Sequence, residues 1–592
     1  MKKHITIGIA GHVDHGKTAL VRCLTGIDTD RLREEKRRGL SMESGIAPLN
    51  LLSGIQIALV DVPGHTDFLK NTIRGLSSVD MAILVVAADD GIMPQTLEHI
   101  EILNFLKTKT GFIVLSKADL VDNETMELAE LEIRDVISRT FLEAKPILPF
   151  SAIDKRGLQE IRMHIERDAE KIAGKDLQSS FRLWIDQIRS FTGFGTVVSG
   201  TILSGIIRRD DILYLLPSEK ETRVRFLEVH HQKVQQAVAG QRVGINLHRV
   251  PLKEVRCGMA LAKPGLLSPG YLLNVVLYVL KGATKPIRNR QRVKLYLGAS
   301  IINAMVVIME KQQLEPGEKG LVQLRLMKPL AALPKDPFVI CPLNVQTVIG
   351  GGEVLEIPRE KYRKVKAAKI IPYIKALWEK NLKIVVEHLF DSNRNNLVTV
   401  GELARDTGFS HTELEAEMRA RVKSGQLLYF EGRGFFAKTR YQTLKRQLPE
   451  VVEKILTQDP LKMNATAKEI KNQLAPFLDE APFQRMLAEL CNESQLIKTN
   501  GGFQISNLSV RLSDEREMLI NLLLDYARNS GIVPFSAHTF WKFHKRRTNI
   551  NEIQRLLDYL HNKKRLICLN NRRFLSPQAM DQIKERVRSL IR

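Results

Sequence analysis

Apolar residues change their spacing twice along the chain, and each change predicts a different architecture. To about residue 175, short β-branched runs such as "ITIGIA" (5–10), "IALVDV" (57–62) and "GFIVLS" (111–116) end in glycine or a polar cluster. Between them come stretches of helical spacing such as "KTALVRCLTG" (17–26). Short apolar runs bounded by turn signals read as buried strands. Their alternation with helices predicts a doubly wound α/β domain whose ligand sits at the carboxyl ends of the strands. From Phe181 the period shortens. "FRLWIDQIRSFTGFGTVVSGTILSG" (181–205) alternates apolar and polar positions with Gly193, Gly195, Gly200 and Gly205 as turn points, and "GQRVGIN" (240–246) and "TVIGGGEVLEI" (347–357) continue the style. Many short strands at even spacing predict β-barrels.

After Pro358 the pattern becomes helical, charged and repetitive. "SGQLLYFEGRGFFA" (424–437), "ESQLIKTNGGFQI" (493–505) and "KKRLICLNNRRFL" (563–575) align, with Leu427, Leu496 and Leu566 at intervals of 69 and 70 residues. Each segment reads as strand, tight turn, strand. Each follows an amphipathic helix: "ELEAEMRARVK", "FQRMLAELCN" and "IQRLLDYLHN". Upstream lie "VTVGELARDTG" and "NATAKEIKNQL", helices opened by a small polar cap, and "VPFSAHTFWKFH" in the third copy. Two helices and a two-stranded wing make a winged helix-turn-helix. The predicted organisation is therefore an α/β domain (1–175), two β-barrels (176–265 and 266–358) and three winged-helix modules (366–440, 441–511 and 512–592, the last with a terminal helix).

Composition narrows the partners. The 592 residues would suit about four ordinary domains, and a hydrophobic content of 44% argues against disorder. A net charge of +23 points to a polyanion, most simply nucleic acid, over a basic surface kept only for solubility. Charge is dense at the end, with fourteen Lys and Arg against four Asp and Glu from Ser536 to Arg592. Arg546, Arg547, Lys563, Lys564, Arg572 and Arg573 cluster on a helix start and the third wing, where they could neutralise RNA phosphates. Trp541, Phe543 and His544 among them read as core and edge residues. The five cysteines form no Cys-x-x-Cys pair, so neither a zinc site nor a disulfide framework is expected and a reducing cytoplasm fits. No run approaches 18 apolar residues, so no membrane span is expected, and the apolar start is too short for a signal peptide.

The loops that follow the strands carry the chemistry. "GHVDHGKT" (11–18) is a G-x-x-x-x-G-K-T loop between strand and helix. Gly11 and Gly16 let backbone approach phosphates, amides and the helix start supply positive potential, Lys17 neutralises β and γ oxygens, and the Thr18 hydroxyl suits Mg2+. His12 and His15 could be read as a metal pair, but histidines beside such a loop more often pack against it. In "IALVDVPGH", Asp61 ends a strand where a magnesium-linked carboxylate belongs, Gly64 can turn its amide to a γ-phosphate, and His65 can orient a water. In "GFIVLSKADL", Asp119 can accept two N–H bonds from a guanine edge, which adenine cannot supply. Lys117 stands two residues before it, and Ser151 and Ala152 of "ILPFSA" can close over the base. Each loop alone could be an ordinary strand turn. Four in this order are far more specific.

The string "GHVDHGKT … DVPGH … SKAD … SA" resembles the translational GTPases, and "LTGIDTDRLREEKRRG" (24–39) with "VVAADDGIMPQTLEHIEIL" (85–103) is similar to the SelB family of selenocysteine-specific elongation factors. Carried over position by position, the resemblance implies several roles. Gly11, His12, Val13, Asp14, His15, Gly16, Lys17, Thr18 and Gly64 would bind GTP phosphates. Thr18, Ser41 and Asp61 would hold Mg2+. His65 would position the attacking water between a hydrophobic gate of Val13 and Leu40, and Ser116, Lys117, Asp119, Ser151 and Ala152 would enclose guanine. The implied partners are selenocysteinyl-tRNA, gripped by the barrels, the ribosome, and a messenger RNA hairpin beside a UGA codon. The implied state is a monomer, with segments that order and disorder as the switch.

The sequence departs from that family in four places. Ser41 replaces the usual Thr, keeping the hydroxyl. Ser116 replaces Asn or Thr, which should lose contacts to the phosphate loop more than to the base. In the expected aminoacyl pocket Asp186 and Arg242 match, but Gln187 stands where Arg is usual, so a charge-assisted contact to a selenolate is weakened. The family tail has four winged modules and this sequence shows three, so either the third takes the hairpin or that module is missing. Two other readings stay open: a diverged relative that no longer serves selenocysteine, and a GTP-controlled nucleic-acid regulator.

Overall fold

The computed structural model describes residues 3–29, 41, 43–51, 53–191, 195–229, 232–391, 395–506, 512–544 and 548–591. The chain divides into two compact units, residues 1–385 with 401–410, and residues 386–400 with 411–592.

The first unit begins with an α/β domain. Its elements are β1 (His4–Gly11), α1 (Lys17–Thr25), β2 (Gly45–Asn50), β3 (Gln56–Asp61), α2 (Leu69–Leu76), β4 (Met81–Ala87), α3 (Pro94–Phe105), β5 (Thr110–Ser116), α4 (Asn123–Ile137), β6 (Ile147–Pro149) and α5 (Leu158–Lys171). The sheet order is β2-β3-β1-β4-β5-β6, with β2 antiparallel to β3 and the other pairings parallel. β4 is buried at all seven positions because helices cover both faces, which is why "MAILVVA" is apolar without alternation. Ile73, Ile100 and Ile133 from α2, α3 and α4 fill one face, and Leu20, Leu24 and Ile161 from α1 and α5 the other. Every ligand-competent loop therefore leaves the sheet at the same edge.

Two six-stranded barrels follow. The first closes through Arg182–Trp184, Gly195–Ser204, Arg242–Leu247, Lys220–Val229, Ile212–Leu216 and Ala260–Ala262, with Gln187–Phe191 paired outside the ring on Gly195–Ser204. The second closes through Pro269–Val279, Lys319–Ala331, Ser300–Ile308, Arg292–Leu297, Pro337–Pro342 and Gly350–Glu356. Arg182 joins the barrels, donating to both carboxylate oxygens of Asp336 at 2.8 and 2.5 Å while its guanidinium lies 5.1 Å over the Trp184 ring.

The second barrel is also docked on α3. Glu98 accepts a hydrogen bond from the Val348 amide at 3.0 Å, Lys107 pairs with Glu353, and a side chain at Gly351 would sit 2.5 Å from the Phe105 ring. Tyr296, Val339, Cys341 and Val348 of the barrel belong to the same apolar cluster as α2, α3 and α4. The seam thus includes a continuous apolar core.

Among its described residues the second unit is helical, with three antiparallel hairpins: Leu427–Phe430 with Gly434–Ala437, Leu496–Thr499 with Gly502–Ile505, and Ile567–Cys568 with Phe574–Leu575. Each follows a helix, His411–Lys423, Glu480–Asn492 and Ile550–Asn562 respectively. Each hairpin also takes a bridging residue from upstream: Val398 to Phe435, Ala465 to Phe503 and Phe535 to Phe574. Sequence spacing gave no sign of these third strands. Two of the short helices behind them open with a reciprocal cap, Thr466 with Glu469 and Ser536 with Thr539.

Candidate functional site

The loop between β1 and α1 is shaped by backbone that only small or polar residues accept. Gly11 has φ +143°, and a Cβ there would meet the Val85 carbonyl oxygen at 2.1 Å. Asp14 and Gly16 both take left-handed φ, 59° and 84°. Gly16 begins α1 with no side-chain cap, so the helix start presents its amides to the loop. Lys17 is buried and its ammonium donates to the His12 carbonyl at 2.5 Å. Gly64 lies against this loop. A Cβ at 64 would stand 2.5 Å from the Val13 nitrogen and 2.7 Å from the Lys17 ammonium.

Thr18, Ser41 and Asp61 meet. The Thr18 hydroxyl donates to Asp61 at 2.7 Å and lies 3.4 Å from the Ser41 hydroxyl. Thr29, which sequence reasoning passed over, donates to the same Asp61 oxygen at 2.8 Å and is buried. Two hydroxyls and a carboxylate within a few ångströms form the hard oxygen set that suits Mg2+. His65 is half-exposed, and its Nδ1 accepts from the Asp67 amide at 3.2 Å. Leu40, the other half of the expected gate, lies outside the described residues, as does the segment 30–39. Val13 turns its amide to Gln95 Oε1 at 3.3 Å.

At the base side, Lys117 has a left-handed φ of 55° and its ammonium bridges Asp89 at 3.0 Å and Asp90 at 3.2 Å. Burial works against this charge, but the two carboxylates hold its pKa above the ordinary lysine value. Asp119 is exposed two residues on. Ser151 is fully buried, and its hydroxyl accepts from the Ile153 and Asp154 amides at 3.2 and 3.3 Å, fixing the turn that carries Ala152. At Ser116, where contacts to the phosphate loop were expected to be fewer than with Asn or Thr, the buried hydroxyl donates one bond to the loop, to the His15 carbonyl at 2.6 Å.

Three histidines pack around the loop, two of them sealed from water. His99 is 2% exposed and its Nδ1 accepts the Gly11 amide at 2.9 Å. Burial, then the charges of Lys17 and His12, lowers its pKa to about 3. His15 accepts the Ala87 amide at 3.2 Å, and burial with the same two neighbours lowers it to about 4 against the pull of Asp90. His12 is lowered too, by burial first and Lys17 second, and its ring lies edge-on to His15 at 5.0 Å. No cluster of three or more His, Cys, Asp or Glu suited to a metal occurs among the described residues.

The first barrel brings Asp186 and Arg242 together as a two-pronged ion pair at 2.6 and 2.8 Å, mostly buried. Asp186 and Arg242, both expected in the aminoacyl pocket, thus lie side by side, with the two charges matched. Gln187 begins the adjacent strand and is half-buried. In the second unit Lys563 and Lys564 stand exposed at the end of a helix, and Arg572 and Arg573 are exposed in the third hairpin. Lys563 reaches over the Tyr559 ring at 5.9 Å. Arg546 and Arg547 lie outside the described residues. No helix among the described residues is long and apolar enough to cross a membrane.

Similarity to known proteins follows this division. Residues 2–171 match the elongation factor Tu GTP binding domain, residues 195–262 match elongation factor Tu domain 2, and residues 275–361 match the β-barrel domain of selenocysteine-specific elongation factor. The selenocysteine-specific elongation factor of Desulfomicrobium baculatum is 29% identical over 99% of this chain and 92% of its own length. That of Haemophilus influenzae is 34% identical over 60% of this chain and 56% of its own. A crystal structure of bacterial selenocysteine-specific elongation factor EF-Sec covers 100% of this chain and 92% of that one, with a TM-score of 0.77 at 25% identity.

Proposed function

Because this chain belongs to the SelB-type translational GTPases, we propose that it carries selenocysteinyl-tRNA to the ribosome as a complex with GTP, and lets go when the GTP is hydrolysed. One observation carries this reading: the likeness to selenocysteine-specific factors spans nearly the whole chain, the family's own barrel included. The loop 11–18 holds the phosphates through the amides of Asp14, His15 and Gly16 and the Lys17 ammonium, Lys117 and Asp119 read guanine, and Ser151 and Ala152 cover the base. Thr18, Ser41 and Asp61 hold Mg2+, which when bound offsets negative charge on the β and γ oxygens. His65 orients the attacking water, with Val13 and Leu40 flanking it. Gly64, pressed on the Val13 amide, reports the γ-phosphate to the residues that follow.

In this reading the barrels receive the aminoacyl end and arms of the tRNA, with Asp186, Gln187 and Arg242 beside the selenol. The exposed Lys563, Lys564, Arg572 and Arg573, with Arg546 and Arg547, meet the phosphates of a messenger RNA hairpin through a winged helix. The factor works as a monomer in the cytoplasm.

The test is protection of the ester bond. Protein loaded with GTP is mixed with selenocysteinyl-tRNA or seryl-tRNA of the same body, and hydrolysis is followed. Protection of the selenocysteinyl form alone is expected. Equal protection, or none, would favour a second reading, a diverged factor that keeps the switch without that cargo. The neutral Gln187 and the Arg242 charge already matched by Asp186 speak for it.

A further inference from the structure

Phosphate loops bind with backbone amides, so an amide pointing elsewhere needs a reason. Two amides of this loop point into α3. Gly11 donates to His99 Nδ1 at 2.9 Å, and Val13 donates to Gln95 Oε1 at 3.3 Å. Gln95 and His99 are four residues apart on α3, so one helix face carries both acceptors. Both bonds span more than eighty residues of sequence. Gly11 cannot move toward β4, because its Cα already abuts the Val85 carbonyl. His99 is sealed from water, and its ring nitrogen accepts only while the imidazole stays neutral. Its depressed pKa keeps it so at any working pH.

We propose that His99, with Gln95, is a positioning residue for bound nucleotide: by taking up the Gly11 and Val13 amides from behind, the pair holds the loop in its binding shape and sets how slowly GDP and GTP leave. Neither side chain touches the nucleotide. Ser116 on the His15 carbonyl and Lys17 on the His12 carbonyl hold carbonyls of the loop, whereas α3 holds the Gly11 and Val13 amides. Without the acceptor at 99, the buried Gly11 amide is left unsatisfied and the loop turns to find a partner, spoiling the amides meant for phosphate. This inference rests on the reading of the site as a nucleotide site.

The experiment is stopped-flow release of a fluorescent GDP and a fluorescent non-hydrolysable GTP from full-length protein, chased with unlabelled nucleotide. His99→Leu keeps the volume and removes the acceptor. It is expected to speed release of both nucleotides at least tenfold while association changes less than threefold. His99→Asn, whose Oδ1 falls near the position of Nδ1, is expected to return release to within threefold of wild type. Gln95→Leu, at a half-buried position, gives an independent arm with a smaller acceleration of the same sign. Thermal melts of each variant accompany the kinetics. Equal release from the Leu and Asn variants would mean that volume alone matters, and would overturn the proposal. So would unchanged release from His99→Leu and Gln95→Leu. Failure of the wild-type protein to bind either nucleotide would instead sink the nucleotide reading itself.

Discussion

Acidification should loosen the α/β domain before anything else, because it keeps two histidines neutral in the fold. His15 and His99 are held near pKa 4 and 3 by burial first and by neighbouring positive charge second. In the unfolded chain each returns to an ordinary value near 6.5. Between pH 6.5 and about 4 the unfolded state therefore binds more protons than the folded one, and stability rises with pH across that window. From pH 7.5 to pH 5 each histidine alone would remove about 2 kcal/mol, or about 4 kcal/mol together, a large part of an ordinary domain's stability. Below about pH 4 for His15 and pH 3 for His99 the loss levels off. Urea denaturation of the nucleotide-free full chain at constant ionic strength measures this, with hydrogen exchange assigning the transition to peptides of residues 3–171. His99→Asn takes one titrating group away and should roughly halve the slope of stability against pH. Parallel slopes for wild type, His99→Asn and His15→Asn would refute the reasoning, as would histidine resonances titrating near 6.5 in the fold.

Other expectations test separate contacts. Gly64→Ala drives a methyl against the Val13 nitrogen and should weaken nucleotide binding by about 5–150-fold, the effect of about 1–3 kcal/mol of overpacking, read by fluorescent-nucleotide titration. Chelating magnesium should speed nucleotide release from wild type, whereas Thr18→Ala should already release fast and respond little; a normal response in the variant would argue against Thr18 as a ligand. Arg182→Ala leaves Asp336 without its partner between the barrels and should cost about 3–5 kcal/mol in denaturant unfolding of the barrel region. Thr466→Ala removes a reciprocal helix cap and should cost about 1 kcal/mol, visible as a lowered melting point of the helical unit.

What the sequence could announce was whatever repeats a local rule. Continuous apolar runs such as "MAILVVA" mark strands covered on both faces, and glycine spacing marks the loop around Gly11 and Gly16. Thr18, Ser41 and Asp61 could be picked out because each stands at a fixed place in a known string, and they do converge. Residues that serve the loop from a distance have no such string. His99 reaches Gly11 across 88 residues and Thr29 reaches Asp61 across 32, so no spacing betrays them. The one available hint was the four-residue interval between Gln95 and His99 on a helix. Single bridging residues such as Val398 and Ala465 leave no period to detect. Asp186 and Arg242 stand 56 residues apart in sequence, so their pairing leaves no local spacing to read either.

The α3 helix grips the phosphate loop with one face and is fused into the second barrel at its far end, so it works as a stiff rod between them. Its twelve residues span about 18 Å. A tilt of about 5° around Phe105 would move Gln95 by about 1.3 Å, more than the whole tolerance of a hydrogen bond. The bond from Val13, at 3.3 Å, already stands at the outer edge of that range. A load that leans on the barrel would thus reach the loop as a change of angle, carried by the apolar seam between the two.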